Sequence, residues 1–134
     1  MSTNWVQDIQ AMQDKFGVRE WVKNHPEHMK EFLQFRLEFL AEELGETLAA
    51  SAESDPEEIV DGLIDICVVA IGNLLAFGVD AQQAWDVVHE ANMQKVPGKK
   101  KERPNPLGLP DLMKPEGWKN PSHKDNHGDL TDNI

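Results

Sequence analysis

Two short acidic runs hold the side chains in this sequence most able to do chemistry. The first contains Glu38, Glu42, Glu43 and Glu46; the second contains Glu58, Asp61 and Asp65. Spacings of three and four put side chains on one face of a helix, so each run is a ladder of like charges that repel along it. No lysine or arginine lies between Arg36 and Lys95, so local ion pairs do not settle them. A solvated acidic helix face would account for Glu38, since glutamate is a good helix former. It accounts less well for Asp61 and Asp65, which sit among Val60, Leu63, Ile64 and Ile66, because aspartate is a poor helix former. Two acidic ladders without nearby cations suggest a bound divalent metal. All-oxygen ligands on helices suit magnesium, with manganese as a substitute. Zinc would want histidine or cysteine. Here the single Cys67 has no partner, and His25, His28, His89, His123 and His127 are scattered. The chain has no Glu-x-x-His, the motif that a di-iron carboxylate bundle needs on two helices.

Magnesium usually binds together with substrate phosphates, whose remaining charge calls for cations. Lys95 is the first basic residue after the gap, and Lys99, Lys100, Lys101 and Arg103 follow. The plainer reading is that Lys95 complements a helix dipole and that the lysine run is a solvated loop. An indole can stack on any base. Trp118, on an irregular segment, and Trp21 are the candidates for base stacking; Trp5 and Trp85 are expected to pack as ordinary helix residues.

These groups need helices to hold them, and the pattern supplies four. Trp5, Ile9, Met12 and Phe16 form one stripe, ended by Gly17. After a short turn from Arg19 to Asn24, Pro26 starts a second helix that runs to about Ala52. It is striped by Leu33, Leu37, Leu40, Leu44 and Leu48 and widened by Phe32, Phe35 and Phe39. Asp55, Pro56 and Glu58 make a capping box for a third helix that ends at Gly78. Its all-apolar middle, Ile66 to Ile71, marks it as the central, buried one. Asp80 and Gln83 cap a fourth, with Ala84, Val87, Val88, Ala91 and Val96 on its apolar side, ended by Pro97-Gly98. Nothing before Pro97 reads as strand. The expected fold is an all-α four-helix bundle with an irregular Pro-rich C-terminal extension.

The chain has 134 residues and a formal net charge of -11, which suits one core and disfavours binding a nucleic-acid backbone. The charge is uneven: residues 1–96 hold 18 acidic and 6 basic side chains, residues 97–134 hold 6 and 7, with 6 of the 8 prolines. This divides a helical domain, 1–96, from an extension, 97–134, whose last dozen or so residues, Ser122 to Ile134, are expected to be disordered. The lone cysteine argues for a reducing compartment. No leader-like segment opens the chain. The apolar stretch from Leu63 to Val79 is interrupted by Asp65, Gly72, Asn73 and Gly78 and reads as too short to span a bilayer. The expectation is a cytoplasmic protein with no membrane and no nucleic-acid partner.

The run Glu42-Glu43-Leu44-Gly45-Glu46, eleven residues, then Glu58-Ile59-Val60-Asp61 resembles the signature of the MazG-type all-alpha nucleotide pyrophosphohydrolases. Their relatives are the dimeric dUTPases and the phosphoribosyl-ATP pyrophosphohydrolases. The spacer is at or below the short end of the usual range. The stretch from Phe32 to Lys95 resembles the MazG-like proteins of tailed bacteriophages. So does the tail Arg103-Pro104-Asn105-Pro106-Leu107-Gly108-Leu109-Pro110-Asp111 with Lys114-Pro115-Glu116-Gly117-Trp118. The resemblance implies magnesium-dependent cleavage of (deoxy)nucleoside triphosphates to monophosphate and pyrophosphate. It implies Glu43, Glu46, Glu58 and Asp61 as metal ligands, and Glu42 or Glu46 as the group steering the attacking water. Asn92, Lys95 and, more loosely, Arg103 would meet phosphate or sugar. A homodimer or homotetramer is implied as well, in the host cytoplasm for a phage protein. Two other readings stay open: an acidic helical protein that docks on a basic partner, and a nucleotide sensor without catalysis.

Overall fold

The structure, a computed structural model, describes residues 2, 4–103 and 105–132. Pro104 of the tail motif and Asn133 and Ile134 at the end of the expected disordered stretch lie outside the described residues. Among the described residues there are five α-helices: α1 (Trp5–Phe16), α2 (Val18–Asn24), α3 (Met29–Ala52), α4 (Pro56–Ala76) and α5 (Ala81–Met93). A hairpin of β1 (Val96–Gly98) and β2 (Asp111–Met113) follows. The chain forms two compact units: Met1–Ala81 with Asp125–Ile134, and Gln82–Lys124.

The all-α expectation holds, with corrections. There are five helices rather than four, because the turn expected from Arg19 to Asn24 is the helix α2. A 3-10 turn, Pro26–His28, precedes α3, which therefore starts at Met29. The last helix stops at Met93, and Gln94 and Lys95 turn back on Ala91 and Asn92. Val96 precedes a proline, which disfavours helix. It pairs with Met113 in an antiparallel ladder, instead of lining the helix as its apolar character suggested.

In the first unit, α1, α2 and α3 all pack on α4 or on each other. Asn4 accepts from the Gln7 amide to start α1, and Gly17 ends it in the left-handed conformation. Val6, Ile9 and Gln13 turn inward, so the stripe of Trp5, Met12 and Phe16 is offset from the packed face and exposed. Gln13 takes the central place because its Nε2 donates to the Gly72 carbonyl at 2.7 Å. Beside it, Arg36 Nε donates to Asn73 Oδ1 at 2.8 Å, and its guanidinium lies over Phe32 and Phe39. Val22, Met29, Ala76 and Phe77 form one apolar cluster; Ile9, Leu75 and Ala81 form another.

Residues 125–132, expected to lack fixed structure, belong to this unit. The Asp129 amide donates to the Phe77 carbonyl, and Leu130 packs on the Val22–Phe77 cluster. Arg19 Nη1 donates to the Ala76 carbonyl and pairs with Asp129 at 2.8 Å. The exposed carbonyls at the end of α4 thereby find partners. Gly128 lies so close to the Phe77 carbonyl that no Cβ fits there.

α4 is 21 residues long and passes for a membrane span by length and composition alone, longer than its interrupted sequence suggested. Its burial is uneven. Val69, Gly72, Asn73, Leu75 and Ala76 are buried, while Val60, Leu63 and Ile64 are exposed. The helix is thus central over its second half only, a correction to the expected buried middle.

α3 and α4 approach closely at Thr47 and Gly62. A Cβ on Gly62 would run into Thr47 Oγ1, which is fixed by donating to the Glu43 carbonyl at 2.8 Å. Threonine has little freedom to move aside in a helix. Gly62→Ala should therefore lower the melting temperature, by an overpacking cost of about 1–3 kcal/mol that outweighs alanine's better helix propensity. Adding Thr47→Ala should restore part of it. A single variant that melts at or above wild type would show that the helices do not meet here.

Candidate active site

The close contact of Thr47 with Gly62 joins the end of the first acidic run to the middle of the second. Glu43 and Glu46 precede Thr47 within a turn of α3, and Asp61 and Asp65 flank Gly62 on α4. The start of α4 is set by its cap: the Asp55 side chain accepts from the Glu58 amide at 3.2 Å. This puts Glu58 in the first helical turn and Asp61 one turn on.

The electrostatics identify which carboxylates share a neighbourhood. The Glu43 carboxyl is raised above its ordinary value, first by partial withdrawal from water, then by the negative charges of Glu46, Asp65, Glu42 and Asp61. Glu43 and Asp65 are half-buried; Glu42, Glu46, Glu58 and Asp61 are exposed. Among the described residues none of these six pairs with a lysine, arginine or histidine within 4.0 Å. Asp65 joins the group although the family signature does not include it; its i+4 spacing from Asp61 is the signal that points to it. Among the described residues, no three His, Cys, Asp or Glu side chains converge closely enough to hold a metal ion as they stand. The donor set is nonetheless oxygen-only and uncompensated, which is the chemistry a hard divalent cation takes.

The other candidates fall in the second unit. Asn92, next to last in α5, is an exposed side chain, and Lys95 follows the helix, half-buried. Arg103 lies 3.7 Å from Asp111, whose other oxygen accepts from the Lys100 amide. The Trp118 indole donates to the Ala91 carbonyl at 2.8 Å, and both Lys95 and Lys114 lie over its ring. In the first unit, Trp21 is stacked on His25 at 4.4 Å and packs against Phe32. Trp5 and Trp85, expected to be packed, are 58% and 66% exposed. A cavity of about 530 Å³ lies between α1 and the end of α4, lined by Val6, Gln7, Asp14, Arg19 and Asp80 among others. None of the clustered carboxylates lines it.

The raised Glu43 carboxyl gives a pH prediction. Its native state holds its proton to higher pH than the unfolded chain does, so native stability falls as pH rises through this range. In chelator at neutral pH, Glu43→Gln should melt above wild type, and the gap should close as pH falls through the glutamate range. A variant that melts lower at neutral pH would mean that Glu43 is held by favourable contacts instead.

No curated protein and no solved structure matches the chain. The family model for phosphoribosyl-ATP pyrophosphohydrolase matches residues 10–92, which takes in α1 from its second turn, all of α2, α3 and α4, and nearly all of α5. That span is more than half of the chain, and it includes both acidic runs. The chain belongs to the phosphoribosyl-ATP pyrophosphohydrolase family, within the all-α nucleoside triphosphate pyrophosphohydrolase superfamily.

Proposed function

We propose that this protein hydrolyses a (deoxy)nucleoside triphosphate to monophosphate and pyrophosphate, with magnesium or manganese. The observation that carries the proposal is the family match across both acidic runs, with the raised carboxyl of Glu43 beside it. Carboxylates from two helices gather around Glu43 without a compensating cation, in a member of a pyrophosphohydrolase family. The order of the acidic motif and the tail around Lys114 to Trp118 support a MazG-type protein of the bacteriophage form.

Glu43, Glu46, Glu58 and Asp61 would hold the ion, with Asp65 adding charge behind Glu43. When bound, magnesium supplies positive charge to the substrate oxygens and lowers the pKa of a coordinated water. Glu42 or Glu46 accepts a proton from the attacking water and orients it for in-line displacement. Asn92, Lys95 and Arg103 are the proposed phosphate contacts of the second unit. Lys95 carries most of that proposal, since Arg103 is already shared with Asp111. Trp21 has one ring face on His25, which favours a positioning role over base stacking.

The exposed apolar residues Leu37, Leu44 and Leu48 of α3 and Val60, Leu63 and Ile64 of α4 support self-association into a dimer or tetramer, because a second copy would cover them. The family match supports a second substrate, phosphoribosyl-ATP, cleaved at the same kind of bond.

The test is a panel of the common ribo- and deoxynucleoside triphosphates with phosphoribosyl-ATP, assayed with magnesium and resolved by ion exchange. The expected products are a monophosphate and pyrophosphate. Asp61→Asn should cut kcat by about a hundredfold or more, in the range of lost charge stabilisation at such sites, with its helical circular dichroism unchanged. Release of single phosphates, or full activity in Asp61→Asn, would overturn the proposal. Sedimentation of the same samples should give at least a dimer; a monomer at assay concentration would remove the second copy.

A further inference from the structure

In the second unit, two lysines from distant segments meet over one indole. Lys95 Nζ lies 5.3 Å from the centre of the Trp118 ring and Lys114 Nζ lies 5.0 Å from it. Their ammonium groups are therefore at most about 10 Å apart. The hairpin dictates the meeting: Val96 pairs with Met113, and one step outward the same register sets Lys95 opposite Lys114. The indole is fixed independently. Its Nε1 donates to the Ala91 carbonyl at 2.8 Å, and its own amide closes a turn on Pro115 at 3.0 Å.

Like charges facing each other across a strand pair are destabilising. Among the described residues neither lysine has a carboxylate within 4.0 Å. Asp111, the buried acid of the hairpin, is occupied by the Lys100 amide and by Arg103. A cation–π contact attracts each ammonium to the ring but does not screen one from the other. Helix-dipole stabilisation explains Lys95, which follows α5. It does not explain Lys114, which is exposed on a separate segment.

We infer that Lys95, Trp118 and Lys114 form an anion site for a condensed phosphate, either pyrophosphate or the polyphosphate chain of a nucleotide. Lys114 is then a phosphate-binding residue, and Trp118 positions both ammonium groups rather than stacking on a base. Lysine binds phosphate as a mobile point charge. A di- or triphosphate is long enough to engage both ammoniums and charged enough to remove their repulsion; an orthophosphate engages one at a time. The inference rests on the reading that the substrate carries such a chain.

The experiment titrates pyrophosphate into the full chain by calorimetry, in chelator, so that the carboxylates of α3 and α4 contribute no metal bridge. Lys114→Gln should weaken binding about tenfold, the loss expected for one charge-assisted hydrogen bond. Lys114→Arg should stay near wild type. Lys124→Gln, an equal charge change at an exposed lysine of the same unit, should have no effect. Trp118→Leu should weaken pyrophosphate with both lysines retained, provided that its circular dichroism matches wild type. Tripolyphosphate should bind like pyrophosphate, and orthophosphate far more weakly. No pyrophosphate binding, equal losses in Lys114→Gln and Lys124→Gln, or equal affinity for orthophosphate would overturn the site. Tighter binding of a single-stranded oligonucleotide would overturn it too. Nucleotide turnover is read separately. A protein that cleaves no nucleotide yet loses pyrophosphate in Lys114→Gln keeps the anion site and loses the pyrophosphohydrolase reading. A protein that cleaves nucleotides while its pyrophosphate affinity ignores Lys114 does the reverse.

Discussion

The contact that brings the two acidic ladders together is the approach of Thr47 to Gly62. Two helices that each carry a ladder of negative charge would, on electrostatics alone, keep apart. Here a residue with no side chain faces a short one that is tied back to its own helix at the Glu43 carbonyl. Close packing at this point brings Glu43 within reach of the charges of Asp61 and Asp65. The repulsion is tolerated because burial elsewhere on α4, from Val69 to Ala76, and the clusters around Phe77 and Leu75 hold the pair together. Stability is thus concentrated at one end of α4 and charge at the other. That division is common where a reactive site is built against local preference.

The end of α4 shows the complementary solution. Its last carbonyls are met by Arg19 and by the amide of Asp129, and Asn126 bonds both the amide and the carbonyl of Asp80. A chain segment with few apolar residues is held by hydrogen bonds to a helix terminus plus one leucine. Composition alone carries no sign of these contacts at residues 125–132: the information lies in which backbone groups of a distant helix need partners, not in the segment itself.

Much of the architecture could be read from the sequence because it rests on local rules. The capping of α4 by Asp55 before Pro56, the stop at Gly17 and the two acidic ladders all follow from short-range spacing and recur in the structure. What could not be read depends on tertiary contacts. The helix α2 is too short to show periodicity. The inward turn of Gln13 needs the Gly72 carbonyl as its partner. The exchange of helix for strand at Val96 needs β2, fifteen residues away in sequence from Val96. The candidate site follows the same division. The two acidic runs, Asp65 included, were legible from spacing, whereas the mutual influence of Glu43, Glu46, Asp65, Glu42 and Asp61 emerges only from the packing of α3 on α4. The pairing of Lys114 with Lys95 emerges only from the hairpin register.

The account's central claim is that the carboxylates gathered across the Thr47–Gly62 contact bind a divalent cation. Electron paramagnetic resonance of manganese tests it without any assumption about substrate. Titrated into wild-type protein, manganese should lose its free six-line signal until the site fills, magnesium should release it, and Glu46→Gln should weaken the binding with the fold intact. Manganese that stays free in the presence of folded wild-type protein, or that binds equally well to Glu46→Gln, would contradict the claim.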